Sequence, residues 1–160
     1  MGAFLRRAIE LWALAGGLLL LGVALMTSWS AASGWALSRP LPGDVELTEM
    51  LVAVAAFAFL PYCQLTGANV TADVFTARAG ARTLALLALL SAAIALAFSV
   101  LLAWRMYAGL LDYRQYVETT TILRVPIWYA YVPALASLVL LAAACLVSMR
   151  DALRRWPRPR

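Results

Sequence analysis

Residues 83–104 read TLALLALLSAAIALAFSVLLAW, a run with no charge, no proline and no glycine between Arg82 and Arg105. As a helix rising 1.5 Å per residue it would extend about 33 Å, enough to cross a hydrocarbon core of about 30 Å. Lipid offers the backbone no hydrogen-bond partners, so a run of this kind must satisfy its own N–H and C=O groups, which a helix does. One transmembrane helix is the natural reading, and the rest of the chain can be laid out from it.

Three more charge-free runs flank it: 11–38 between Glu10 and Arg39, 50–72 between Glu49 and Asp73, and 125–149 between Arg124 and Arg150. Each holds a core of about 20 apolar residues, the length a spanning helix needs. The predicted spans are about 11–36, 47–66, 83–104 and 127–149, which makes an all-α polytopic membrane protein with four transmembrane helices. Composition leaves room for little else: 64% of the 160 residues are hydrophobic and 13% are charged, where soluble domains carry about 25% charged residues. Residues 1–160 are therefore read as a single membrane domain. Two short amphipathic segments are expected at the interface. Residues 105–124 mix Tyr107, Leu110, Leu111, Tyr113 and Tyr116 with Asp112, Arg114 and Gln115, and residues 2–10 are read the same way.

Arginine placement sets the orientation. With the N-terminus in the cytoplasm, Arg6, Arg7, Arg78, Arg82, Arg150, Arg154, Arg155, Arg158 and Arg160 lie inside. Only Arg39, Arg105, Arg114 and Arg124 then lie outside, as the positive-inside rule requires. Both termini are thus expected in the cytoplasm. Trp29, Trp35, Trp104, Tyr107, Trp128, Tyr129 and Tyr131 fall near the outer helix ends, where amphipathic rings prefer to sit. The net charge of +5 suits this topology and contact with anionic membrane lipids better than a nucleic-acid partner, because the arginines cluster beside apolar runs.

The chemistry left to such a chain is limited. Histidine is absent, and Cys63 and Cys145 lie far apart in apolar runs without a CxxC. No metal site, haem pair or redox motif is expected, and the cysteines read as packing residues. Serine and threonine hydroxyls have no histidine, lysine or suitably placed carboxylate to activate them. No catalytic residue and no cofactor is therefore assigned, and an enzyme is not expected. Carriers coupled to ions or protons place ionisable groups deep in their spans, whereas the runs here carry none. Glu49, close to a boundary, is the only acid a self-sufficient small oligomeric carrier could use, and that reading stands as the alternative.

Packing is what the sequence offers instead. Ala81, Ala85, Ala88, Ala92, Ala95, Ser99 and Ala103 recur at steps of four and three, a small-residue stripe that lets another helix approach closely. Alanine makes up 32 of the 160 residues, so composition alone produces some such regularity, and the partner of the stripe can be internal or another subunit. Glu46, Glu49, Ala53, Ala56, Leu60 and Gln64 share one side of the second helix. Its acids can serve an outer partner, or simply complement the positive end of the helix dipole. Asp73 fits either a helix cap or a subunit contact.

The order of these pieces resembles the DctQ-type small membrane subunit of tripartite ATP-independent periplasmic (TRAP) transporters. The resemblance rests on Glu46-Leu47-Thr48-Glu49 opening the second helix and on Asn69-Val70-Thr71-Ala72-Asp73 just after it. It rests also on Glu118-Thr119-Thr120 followed by Leu123-Arg124-Val125-Pro126-Ile127-Trp128 entering the fourth helix. Asn69 stands where a histidine is common in that family. The resemblance implies a bacterial inner-membrane protein that scaffolds a large multi-span permease subunit and helps dock a periplasmic substrate-binding protein, for sodium-coupled uptake of an organic acid. Glu46, Glu49, Asp73, Glu118, Arg124 and Trp128 are the candidate partner contacts.

Overall fold

Helix breakers and left-handed turns, rather than the edges of the apolar runs, decide where the elements end. The computed structural model describes residues 2–68 and 80–154. Among them the chain forms α1 (Gly2–Leu37), α2 (Asp44–Thr66), α3 (Ala81–Tyr116) and α4 (Trp128–Arg154), each long and apolar enough to cross a membrane. The single β-bridge among the described residues, Thr119 with Pro126, lies in the α3–α4 loop.

α1 and α3 each run for 36 residues, about 54 Å at the helical rise and well beyond a hydrocarbon core. Residues 105–116, expected as a separate interfacial piece, instead continue α3 without a break, and residues 2–10 likewise belong to α1. A charge marks the edge of lipid but does not stop a helix, and Arg, Met, Leu and Gln are all good helix formers. Tertiary contact fastens the extension of α3. The Tyr113 and Tyr131 rings lie 5.1 Å apart, and the Tyr131 ring packs over Gly109, 3.4 Å from where a Cβ would stand. α3 ends only where Val117 turns left-handed at φ 49°. α2 is bounded on both sides by left-handed glycines, Gly43 at φ 79° and Gly67 at φ 67°, and behind Gly67 the Ala68 N–H closes onto the Cys63 carbonyl at 3.1 Å.

The helices pack in the order α1–α2–α4–α3, so α2 and α4 sit in the middle and α3 reaches the rest of the chain chiefly through α4. The buried residues are mostly small: Ala13, Ala55, Ala58, Ala92, Ala134, Ala144, Cys145, Ser30, Ser99 and Ser137, with Ile9 and Leu138 the main large side chains. Lipid supplies no hydrophobic drive for helix association, so close backbone approach and dispersion must do that work. At Gly16 an added Cβ would lie 2.9 Å from the Ala58 Cβ, which shows how closely α1 and α2 approach. Between α1 and α4, the Trp12 indole N–H donates to Ser137 Oγ at 2.9 Å, and that hydroxyl donates to the Pro133 carbonyl at 2.8 Å. Arg6 pairs with Asp151 at 3.2 Å, which brings the first turns of α1 and the last turns of α4 to one end of the bundle. The α1–α2 turn and the α3–α4 loop occupy the other, termed here the turn end.

Gly43 illustrates how tightly the turn end is built. Besides its left-handed φ, a Cβ there would collide with Cγ and both Cδ atoms of the Leu123 side chain. Gly43→Ala is expected to lower the thermal midpoint of the detergent-solubilised chain, since the backbone conformation alone costs about 1–2 kcal/mol for a residue with a Cβ. Adding Leu123→Ala should recover the part due to collision and leave the backbone part. Full recovery by the double variant would show that the turn is not strained.

Candidate functional site at the turn end

The turn end is organised by two carboxylates at the start of α2. Asp44 accepts a hydrogen bond from Ser30 Oγ on α1 through one oxygen, and the Val45 N–H donates to the other at 2.8 Å. Ser30 in turn accepts from the Leu41 N–H at 3.1 Å, and it is only 2% exposed, so this small network ties α1, the 38–43 turn and α2 together. Glu46 reaches across to the loop after α3. Its two carboxylate oxygens accept from the Ile122 N–H at 2.7 Å and the Leu123 N–H at 3.0 Å. Amide bonds to an ionised acceptor are stronger than neutral ones, and these two join segments 76 and 77 residues apart.

The loop that Glu46 holds has structure of its own. The Thr120 N–H donates to the Val125 carbonyl at 2.9 Å and the Ile127 N–H to the Glu118 carbonyl at 3.1 Å. The Val125 N–H donates to Thr120 Oγ1 at 3.1 Å, and Arg124 sits at its tip in a left-handed conformation, φ 53°. The Arg114 guanidinium lies 5.3 Å from the centre of the Trp128 ring, within cation–π range, and Trp128 meets Tyr129 edge to face at 4.4 Å. Ile122, Tyr116, Val117, Glu118 and Arg124 are exposed on this loop and the adjoining helix end.

Four of the sequence-derived contacts, Glu46, Glu118, Arg124 and Trp128, are thus brought to one end of the bundle. Glu49 lies one turn further along α2 and is exposed, while Asp73 is outside the described residues. Glu46 does more than sequence reasoning assigned to it, since its carboxylate is engaged within the chain. The Ser30–Asp44 link, the fit of Gly43 against Leu123 and the Arg114–Trp128 contact had no signal in the sequence beyond the residue types themselves. On α2, Glu49, Ala53, Ala56 and Leu60 are exposed, whereas Ala55, Ala58 and Pro61 are buried. The stretch of that face from Glu49 to Leu60 is therefore uncovered, whereas Glu46 at one end and Gln64 at the other are half-buried, and the Gln64 carbonyl accepts from Ser148 Oγ on α4. On α3, Ala92 and Ser99 are buried, Ala85, Ala95 and Ala103 are half-buried and Ala88 is exposed. The side chain of Ala81 is outside what the structure describes.

No group of three or more metal-ligating side chains occurs among the described residues, and Cys145 is buried while Cys63 is half-buried, both as free thiols. A cavity of about 390 Å³ between α1, α2 and α4 is walled by Trp12, Leu19, Met50, Val54, Tyr129 and Pro133 among others, and none of the described residues that line it is charged.

These features define a polytopic all-α membrane protein with a built loop end and extensive uncovered apolar helix faces. The chain belongs to the DctQ family: residues 23–155 match the family described as "Tripartite ATP-independent periplasmic transporters, DctQ component". Comparison with curated proteins and with solved structures gave no match.

Proposed function

We propose that this chain is the non-catalytic small permease subunit of a TRAP-type secondary transporter in a bacterial inner membrane. In this reading it scaffolds the large multi-span permease subunit and helps dock a periplasmic substrate-binding protein, for sodium-coupled uptake of an organic acid. Membership of the DctQ family supports the class of system. The observation that carries the scaffolding role is the pattern of exposure: α3 packs chiefly on α4 yet leaves Leu86, Leu90, Ile94, Phe98 and Leu101 uncovered, and α2 leaves Glu49, Ala53, Ala56 and Leu60 exposed. Surfaces of this kind suit lipid or a helical partner, and the cavity between α1, α2 and α4 offers no charged path for a solute. The turn end, with Arg124 and Glu118 exposed on a braced loop, faces the periplasm in the orientation that the arginines favour.

Purification in mild detergent tests this reading. The chain should be recovered with a much larger multi-span protein, and deleting it should abolish uptake of the solute. Recovery only as a lone species, with uptake unchanged in its absence, would contradict the proposal.

A further inference from the structure

Arg6 and Arg7 are neighbours in sequence but not in role. Arg6 is committed to Asp151 on α4, whereas Arg7 is exposed and forms no ion pair among the described residues. On a helix, positions 7, 10, 14 and 17 share one face. Directly along that face from Arg7 and Glu10, a groove of about 570 Å³ runs between α1 and α2, lined by Leu14, Gly17, Leu18, Phe59 and Tyr62, with Glu10 on its rim. The groove exists because the two adjacent glycines do different things. Gly16 lets α1 come down onto Ala58, while at Gly17 the nearest side-chain atom to an added Cβ is Phe59 Cζ, 4.0 Å away. The space above Gly17 is left open where a larger side chain would fill it.

We propose that this groove is a binding site for one phospholipid of the leaflet at the amino-terminal end of α1, specifically one whose headgroup carries a primary ammonium beside its phosphate. The argument is one of charge and shape together. Glu10 immediately precedes the charge-free run, so it stands at the lipid boundary, and Arg7 lies one turn further toward water. A guanidinium at that height binds a phosphate oxygen pair in its fork. The carboxylate of Glu10, which forms no ion pair among the described residues, would repel a headgroup that carries only negative charge and attracts an ammonium. An acyl chain lies below them along the Leu14–Leu18 wall, where its burial against apolar side chains replaces loose lipid contact with packing.

The test uses the full chain in detergent, with phosphatidylethanolamine, phosphatidylglycerol and phosphatidylcholine of identical acyl chains added in turn, and native mass spectrometry of the retained lipid. The ethanolamine lipid should be retained as a single adduct in preference to the other two. Arg7→Gln and Gly17→Leu should each weaken that adduct by about tenfold. Glu10→Gln, an exposed change that leaves the fold intact, should remove the preference for ethanolamine over glycerol. Equal retention of all three lipids, or an adduct indifferent to Gly17→Leu and Glu10→Gln, would overturn the proposal. So would a benzophenone side chain at position 14 that captures polypeptide in native membranes, since that would make the groove a protein contact.

Discussion

Replacing Gly16 with leucine is expected to separate α1 from α2 and leave the chain markedly less stable in mild detergent. An added Cβ already meets the Ala58 Cβ at 2.9 Å and lies 3.5 Å from the backbone oxygen of Ala55. Neither neighbour is the tip of a flexible side chain, and Ala55 and Ala58 are buried at 0% and 3% exposure. The only relief is for one helix to move off the other. Overpacking a tight core costs about 1–3 kcal/mol, and here the displacement would also loosen contacts along the whole α1–α2 seam, which in lipid depends on close approach. Thermal unfolding followed by tryptophan fluorescence should show a clear drop in midpoint for Gly16→Leu. Gly17→Ala, one residue away with open space beside it, should melt close to the parent. Equal midpoints for Gly16→Leu and the parent would mean that the two helices do not rest on this glycine.

Removing the carboxylate of Glu46 should free the α3–α4 loop. Both oxygens are occupied by backbone amides, at 2.7 and 3.0 Å. Glu46→Ala therefore deletes both acceptors and leaves the Ile122 and Leu123 N–H groups to water. Glu46→Gln keeps one acceptor and replaces the other with a donor that faces an N–H, so its effect should be smaller but in the same direction. Amide hydrogen exchange across residues 118–124 should rise severalfold in Glu46→Ala, by less in Glu46→Gln, and change little in α1 or in the middle of α4. Local opening of this kind is read directly by exchange. If the braced loop helps receive a periplasmic partner, solute uptake by the assembled transporter should fall in the same order while the amount of assembled complex stays constant. Unchanged exchange in Glu46→Ala would show that the Thr120–Val125 and Glu118–Ile127 bonds hold the loop by themselves.

The two carboxylates of the turn end show where sequence reading reached and where it stopped. The charge-free runs showed how many spans to expect and in what order, because a lipid-buried helix cannot tolerate unpaired charge. Helix ends were another matter. Residues 105–116 carry Arg105, Asp112 and Arg114 and so read as leaving the helix, yet they continue α3 because the extension packs Gly109 and Tyr113 against Tyr131 on α4. That contact joins residues about twenty apart across a loop, and no local periodicity reports it. Glu46 was legible as an acid near a helix start, a position favoured by the dipole. That both its oxygens would be taken by amides 76 and 77 residues later was not, since backbone donors leave no trace in residue type. In α3 the stripe of small residues was plain from spacing alone. Which helix it meets is not a local property: among its described side chains Ala92 and Ser99 are buried, Ala85, Ala95 and Ala103 are half-buried and Ala88 is exposed.

Uptake by proteoliposomes that contain only the purified chain probes the central claim most directly, because a subunit that works by holding a partner has no transport of its own. With an inward sodium gradient and a panel of organic acids, these vesicles should accumulate no more solute than empty ones, and uptake should appear only when the large subunit and the binding protein are added. Sodium-dependent accumulation by the chain alone, lost on Glu49→Gln, would contradict that account and make the chain a carrier in its own right.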